Sequence, residues 1–243
     1  MEYVLIIGAK SDIAKSLARE YANNGYNLYL AARNVNSLEG FASDVRIKTQ
    51  KKVKLLEFDV LNFDEHSAFY EQLEYKPVGL ISAVGYLGRQ EESEINFLEF
   101  RRVIDVNFTG IASIFNIVSQ DMKTKGRGFI IGISSVAGDR GRESNFTYGS
   151  AKAAFSAYLS GLRGKLDGSG IHVLTVKPGF VDTQMTRDMH LPKLLTANPS
   201  RVAKKIYISQ AKKRDVIYVL GVWWAIMIII KIIPEKLFKK LGL

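Results

Sequence analysis

Seven short apolar runs alternate with amphipathic stretches along most of the chain. The runs have the length and composition of buried strands and cover residues 4–7, 27–31, 53–58, 79–83, 128–133, 172–177 and 216–220. Between them, apolar residues recur at helical spacing, as Ile13, Leu17 and Tyr21 do after the first run. This alternation predicts an α/β fold, a Rossmann-type doubly wound parallel sheet with helices on both faces.

The first predicted helix has clear signals at both ends. Ser11 or Asp12 is the expected N-cap, and Asn24-Gly25 is a typical C-terminal signal. A length of 243 residues, with no internal repeat or low-complexity linker, suits one domain. We expect a catalytic domain over residues 1–221, followed by a short apolar and basic helical tail over residues 222–243.

The charge of the chain is concentrated near its C-terminal end. The formal net charge is +10, and the residues from Lys193 onward contain eleven basic but only two acidic side chains. The tail also carries an apolar stretch with Trp223 and Trp224, too short for the roughly 20 residues that span a bilayer. We expect it to lie in an anionic membrane surface with both tryptophans at headgroup level, or to pack at a subunit interface. Nucleic acid is not expected as a partner, because no stacking platform accompanies the charge.

Composition excludes several site classes. The chain has no cysteine, so disulfides, thiolate metal sites and a cysteine nucleophile are ruled out. The three histidines, His66, His172 and His190, are scattered without ligand spacing, and no metal site is predicted. The N-terminus runs directly into the first strand without a signal peptide, so we expect a cytoplasmic protein.

Two motifs carry candidate chemistry. Tyr148 and Lys152 stand at i and i+4, on one face of a predicted helix, and Ser135 ends a predicted strand thirteen residues before the tyrosine. Upstream, the first strand runs into a turn beginning at Gly8 and then a helix, which can offer backbone N–H groups and a positive dipole end to a pyrophosphate.

Together with Val106-Asn107-Phe108-Thr109-Gly110 and Lys177-Pro178-Gly179-Phe180-Val181-Asp182-Thr183, these motifs occur in the order typical of one family. The chain up to about residue 220 resembles the short-chain dehydrogenases/reductases. The resemblance implies a nicotinamide cofactor and a catalytic tetrad, here Asn107, Ser135, Tyr148 and Lys152. The alternative for Asn107 is a side chain that binds backbone groups, as polar residues often do.

The chemistry is consistent with these roles. Reduction of a ketone needs a hydride on carbon and a proton on oxygen, and free tyrosine, with a pKa near ~10, gives up its proton reluctantly. A lysine ammonium one helical turn away should lower the pKa of Tyr148. Ser135 would orient the substrate oxygen, Asn107 would hold a water, and Lys152 would also hold the nicotinamide ribose.

The end of the second strand predicts the choice of cofactor. NAD-specific sites place an acid there, whereas this chain has Arg33, which suits the 2′-phosphate of NADP. We therefore expect NADPH, and reduction as the working direction. The predicted cofactor-binding residues are Gly8, Lys10, Ser11, Asp12, Ile13, Arg33, Asp59, Val60, Ala83, Gly85, Tyr148, Lys152, Pro178, Gly179, Val181 and Thr183.

The glycine turn departs from the family pattern, since Ile7 replaces the usual threonine and Asp12 and Ala14 replace the second and third glycines. An acid near a pyrophosphate is unfavourable unless it points away, for instance to cap the helix. Ser82-Ala83-Val84-Gly85 likewise replaces Asn-Asn-Ala-Gly.

A narrower resemblance, carried by Ser11-Asp12-Ile13, by residues 83–88 and by residues 233–240, is to the reductase component of decaprenylphosphoryl-ribose 2-epimerase. It implies reduction of a keto-sugar linked to polyprenyl phosphate in cell-envelope polysaccharide synthesis. The expected partners are then a flavin oxidase, the inner face of the cell membrane and further copies of the chain in a dimer or tetramer. The alternatives are a soluble or other lipophilic ketone or alcohol as substrate, or a non-catalytic Rossmann binding module. Residues 183–198, the expected substrate loop, carry no recognisable specificity pattern.

Overall fold

The predicted strands assemble into one parallel sheet in a computed structural model of the chain, which describes residues 1–187 and 191–241. Its strands are β1 (Tyr3–Ile7), β2 (Asn27–Ala32), β3 (Val53–Glu57), β4 (Gly79–Ser82), β5 (Gly128–Ile133), β6 (Ile171–Lys177) and β9 (Val216–Tyr218). Two further short strands, β7 (Phe180–Val181) and β8 (Thr196–Ala197), pair with each other. All seven predicted strands are confirmed within one residue at each end, except that the last stops at Tyr218 instead of Leu220.

The strand order is β3-β2-β1-β4-β5-β6-β9. The chain therefore moves outward in one direction from β1 through β2 to β3, and then returns to the other side of β1 to form β4. This reversal creates a crevice at the carboxyl ends of β1 and β4, which is where open α/β sheets bind their ligands. The predicted doubly wound Rossmann-type fold is confirmed.

Helices cover both faces of the sheet. The described residues form α1 (Asp12–Asn23), α2 (Glu39–Thr49), α3 (His66–Glu71), α4 (Gln90–Ile95), α5 (Phe97–Ile104), α6 (Gly110–Lys125), α7 (Phe146–Leu166), α8 (Pro199–Ala211), α9 (Gly221–Ile232) and α10 (Glu235–Phe238). Side chains of α1, α2 and α8 pack on one face, and those of α3, α6 and α7 on the other. Successive residues of β1 supply the two cores in turn, as the alternation of a strand requires.

The first helix has the predicted ends. Ser11 is the N-cap, its hydroxyl accepting a hydrogen bond from the Ala14 amide at 3.1 Å, and the helix ends before Asn24. Leu17 and Tyr21 are fully buried as expected. Ile13 packs against the same core but is only half-buried, because it also lines a cavity at the sheet edge.

The tail packs against the body of the protein through one face of α9. Trp223 and Met227 are buried there, and the Arg140 guanidinium donates hydrogen bonds to the carbonyl oxygens of Ile230 and Ile233, both at 2.6 Å. The expectation that Trp223 sits at lipid headgroup level is therefore wrong, whereas Trp224 is 57% exposed. No helix in the described part of the chain is both long enough and apolar enough to cross a bilayer.

Candidate active site and cofactor groove

Two adjoining cavities follow the carboxyl edge of the sheet. One, of about 330 Å³, lies toward β5 and β6, and the other, of about 400 Å³, lies toward β2 and β3. Both are lined by the turn after β1 and the segment after β4, through Lys10, Ser11 and residues 83–85. They therefore form one groove that crosses the switch point of the sheet. We call its two parts, after the reacting end and the adenosine end of the expected dinucleotide, the catalytic cavity and the adenosine cavity.

The groove collects every predicted cofactor-binding residue. The catalytic cavity is lined by Lys10, Ser11, Asp12, Ile13, Ala83, Gly85, Tyr148, Lys152, Pro178, Gly179, Val181 and Thr183. The adenosine cavity adds Gly8, Arg33, Asp59 and Val60. These residues come from six separate segments of the chain, and only the parallel sheet brings them to one edge.

Two glycines let the backbone approach closely in this groove. Gly8 has a φ of +76°, and a Cβ there would stand 2.7 Å from the Val84 amide nitrogen. At Gly179 a Cβ would stand 1.9 Å from the ring of Trp223, which packs directly on this backbone. The turn after β1 and the loop after β6 can therefore take their positions only with glycine at these two places.

The groove fits a dinucleotide on its own geometry. The turn from Gly8 to Ser11 leads into the N-terminus of α1, where free amides and the helix dipole favour a phosphate. Asp12 does not oppose this, since its Oδ2 accepts a hydrogen bond from the Gln184 amide at 2.9 Å. The Asp12 carboxylate thus points toward the loop after β7. The expectation that Asp12 caps α1 is wrong, because Ser11 is the N-cap.

Three of the four predicted catalytic residues line the catalytic cavity. Ser135 follows β5, and Tyr148 and Lys152 stand one turn apart on α7. The Lys152 Nζ lies 5.7 Å from the centre of the Tyr148 ring and donates a hydrogen bond to the Ile133 carbonyl oxygen at 3.2 Å. The Ser135 hydroxyl accepts from the Ala137 amide at 3.1 Å.

Burial controls the acidity of this pair. It raises the pKa of the Tyr148 phenol to about 12, against which the neighbouring Ser135 hydroxyl acts in the lowering direction. Burial lowers the pKa of Lys152 to about 7. The prediction that Lys152 lowers the pKa of Tyr148 is therefore wrong, because desolvation disfavours the charged form of both groups.

Asn107 lies beside the cavity wall and does not line it. It is fully buried in a π-helical turn between α5 and α6, where its Nδ2 donates to the carbonyl oxygens of Tyr86 at 2.6 Å and Val103 at 2.8 Å. Its Oδ1 accepts from the Tyr86 amide at 3.1 Å. These contacts match the alternative of a side chain that binds backbone groups, and the water-holding role stays a prediction.

The adenosine cavity has a different character. Arg33 at the end of β2 lies 3.9 Å from Asp59, and both side chains are substantially exposed. Glu57 accepts hydrogen bonds from the amides of Asn34 and Val35 at 2.7 and 3.0 Å, which holds the loop that follows Arg33. Glu57 and Arg102 were not predicted for this site, because no motif marks them. Tyr86 lies in the motif of residues 83–88 but was not predicted to line the cavity.

Two of the histidines, His66 and His172, contact neighbouring hydroxyl and backbone groups. A nitrogen of His66 lies 3.0 Å from the Ser113 hydroxyl, and one of His172 lies 2.9 Å from the Arg214 carbonyl oxygen. His190 lies outside the described residues. Within residues 1–187 and 191–241, no group of three or more His, Cys, Asp or Glu side chains is arranged to hold a metal ion.

Comparison with known proteins agrees with this geometry. A family model described as short chain dehydrogenase matches residues 2–193. The chain belongs to the short-chain dehydrogenase family. It is accordingly an NAD(P)-dependent oxidoreductase.

The similar proteins include an uncharacterized oxidoreductase of Mycobacterium tuberculosis, 31% identical over 241 residues, which are 98% of this chain and 96% of that protein. Another, from Streptomyces coelicolor, is 30% identical over 246 residues, with 98% and 95% covered. Among solved structures, a short-chain dehydrogenase from Sphingobium yanoikuyae in complex with NADPH superimposes with a TM-score of 0.84 at 22% identity, covering 97% of each chain. At that identity the superposition speaks for the fold alone.

Proposed function

We propose that this oxidoreductase uses NADPH to reduce a keto-sugar linked to polyprenyl phosphate. The observation that carries the reductase assignment is that Ser135, Tyr148 and Lys152 together line one part of a groove that fits a dinucleotide. When bound, the cofactor supplies the hydride. The chain supplies the proton and orients the carbonyl group.

The proposed proton path uses both buried groups. Tyr148, with its pKa raised by burial, stays protonated at neutral pH and can donate to the carbonyl oxygen as that oxygen gains charge. Lys152, with its pKa lowered to about 7, can pass a proton back to the phenolate, because a group with a pKa near the working pH both holds and releases protons. Ser135 would hydrogen-bond the carbonyl oxygen during the step.

NADPH is proposed over NADH because of Arg33. It is the basic residue that ends β2 in the adenosine cavity, and its ion pair with Asp59 is long and solvated, so the guanidinium can turn to a 2′-phosphate at little cost. A solved relative of the same fold was obtained with NADPH, which supports the proposal by analogy.

The lipid-linked substrate is proposed from the surface of the tail. The outer face of α9 exposes Trp224, Ile229 and Ile232 at 57%, 59% and 72%, beside exposed lysines at positions 231, 236, 239 and 240. An apolar stripe with a basic border suits the interface of an anionic membrane. The buried face of the same helix places Trp223 on Gly179, a residue of the catalytic cavity wall. A membrane-attached helix would therefore hold this cavity close to the lipid surface, where a separate flavin oxidase could deliver the ketone.

A lipophilic ketone without a sugar is the second candidate. It is favoured by a rat relative named 17-beta-hydroxysteroid dehydrogenase type 3, 28% identical over 208 residues, or 84% of this chain and 65% of that protein.

The deciding assay follows NADPH consumption with a polyprenyl-phosphate-linked keto-pentose, the free keto-pentose and a steroid ketone. Turnover of the lipid-linked sugar alone supports the proposal, whereas turnover of the steroid ketone alone supports the second candidate. A chain that binds NADPH and reduces none of many carbonyls would be a binding module.

Membrane attachment has its own test. Truncation of the tail would remove the buried Trp223 and Met227, so surface substitutions are cleaner. Trp224→Glu combined with Ile229→Glu should abolish sedimentation with anionic vesicles and leave soluble turnover unchanged. Binding of the unaltered chain should weaken with salt without vanishing, because salt screens the lysines and not the apolar burial. If the same substitutions instead split an oligomer, and the unaltered chain ignores vesicles at low salt, α9 is a subunit interface.

A further inference from the structure

Arg102 is a basic residue of the adenosine cavity that no sequence motif marks. It stands on α5, and the central carbon of its guanidinium lies 4.5 Å from the centre of the Tyr86 ring. Both side chains line the cavity. A guanidinium stacked on an aromatic face is held by attraction to the ring and keeps its N–H groups free at its edge. Arg102 is thus placed on the wall formed by the segment after β4.

The Tyr86 platform is itself fixed. Its amide and carbonyl groups are both bonded to the side chain of Asn107, and its hydroxyl donates to Glu99 Oε1 at 2.7 Å. Asn107 and Glu99 are buried, with exposed fractions of 0% and 7%. The ring beneath Arg102 therefore cannot shift without breaking buried hydrogen bonds, which is costly.

The charge of Arg102 is not matched by a carboxylate. Within the described residues it forms no ion pair, although its neighbour on the same helix, Arg101, pairs with Asp105 at 3.6 Å. Arg102 is itself exposed, and a guanidinium stacked on a ring at the wall of a cavity is suited to an anionic ligand, most of all to phosphate oxygens.

The strand order locates that ligand. Arg33 ends β2 and Tyr86 follows β4, with β1 and its glycine turn between them. Neighbouring strands are about 4.8 Å apart, so the walls that carry Arg33 and Tyr86 are separated by roughly 10 Å, and Arg33 and Arg102 approach the cavity from opposite sides. Tyr86 directly follows Gly85, one of the residues shared by both cavities, where the link between the two nucleotides must cross.

We propose that Arg102 binds the pyrophosphate of the cofactor from the wall opposite the turn after β1. It would be a binding residue common to NADPH and NADH, in contrast to Arg33. This inference rests on the nicotinamide cofactor of the proposed function but not on the preference for NADPH.

Calorimetric titration of the full chain tests it without any turnover. Arg102→Ala should weaken the binding of NADPH, NADH and ADP-ribose by the same factor, roughly fivefold to tenfold for one partly exposed charge-assisted contact. Arg102→Lys should recover part of this loss, since it keeps the charge but not the planar stack. Arg101→Ala is the matched control, and it should bind all three within about twofold of the unaltered chain, because its paired surface charge lies outside the cavity wall.

Two results would overturn the proposal. Equal behaviour of the Arg102→Ala and Arg101→Ala chains would show that Arg102 does not touch the cofactor. A loss confined to NADPH would make Arg102 a reader of the 2′-phosphate. A failure of the proposed NADPH preference can be told apart from these results. In that case Arg33→Ala would weaken NADPH and NADH equally, while Arg102→Ala would still weaken the binding of all three ligands.

Discussion

The two cavities of the groove hold charged groups under opposite conditions. In the catalytic cavity Lys152 is 2% exposed, and burial alone moves its pKa to about 7. In the adenosine cavity the side chain of Arg33 is 60% exposed, and its pair with Asp59 is stretched to 3.9 Å. Desolvation therefore suits the first end to proton transfer, and we expect the solvated, loosely paired cation at the second end to bind phosphate. Substitutions should change reactivity at the first end and affinity at the second.

The largest effect is expected at Tyr148. Tyr148→Phe removes the proton donor and keeps the ring, so turnover should fall by at least about 10²-fold while NADPH still binds. Tyr158→Phe is the control on the same helix, because that hydroxyl bonds to Asn116 outside the cavity. Steady-state kinetics of both variants decide the matter, and near-normal turnover of the Tyr148→Phe chain would remove the assignment.

The burial of Lys152 should appear in the pH dependence of folding. Its pKa is about 7 when folded and about 10.4 when unfolded, so between these values the unfolded chain holds a proton that the folded chain has lost. The free energy of unfolding should therefore gain from this group as pH rises from 7 to 10, by at most about 1.4 kcal/mol per pH unit. Urea denaturation of the nucleotide-free protein should show that Lys152→Met flattens this rise. Parallel profiles for the two chains would mean that Lys152 is not desolvated in the folded state.

At the adenosine end the expected effect is one of selectivity. Arg33→Ala should weaken NADPH by about tenfold and NADH by much less, because only NADPH carries the 2′-phosphate that the guanidinium would contact. Binding constants for both cofactors measure this directly. If both weaken equally, Arg33 does not read the 2′-phosphate.

The smallest effect is expected where the turn after β1 meets the loop after β7. Asp12→Ala removes the acceptor of the Gln184 amide, an exposed hydrogen bond that contributes about 1 kcal/mol. The melting temperature should fall by about 2–4 °C for a domain of this size. Asp12→Asn keeps an acceptor oxygen and should melt close to the unaltered chain. If the asparagine variant melts as low as the alanine variant, the bond to Gln184 is not what Asp12 contributes.

Local patterns determined a large part of this protein. The seven strands, the ends of α1 and the pairing of Tyr148 with Lys152 on one helix face all depend on the spacing of residues near one another in the chain. The gathering of the predicted cofactor-binding residues in one groove was also predictable, since most of them follow the carboxyl ends of parallel strands. Periodicity and motifs are properties of short segments, so they can be identified from the sequence alone.

The tertiary structure decided what depends on distant contacts. It turned Trp223 inward onto Gly179 and left Trp224 outside, directed Asp12 to Gln184, and engaged the Asn107 side chain with the backbone of Tyr86. It also reversed the expected shift in the pKa of Tyr148, because the packing around the ring desolvates the phenolate, and a motif does not reveal that packing. Direction and desolvation of a side chain are set by whatever packs around it, and those neighbours come from elsewhere in the chain.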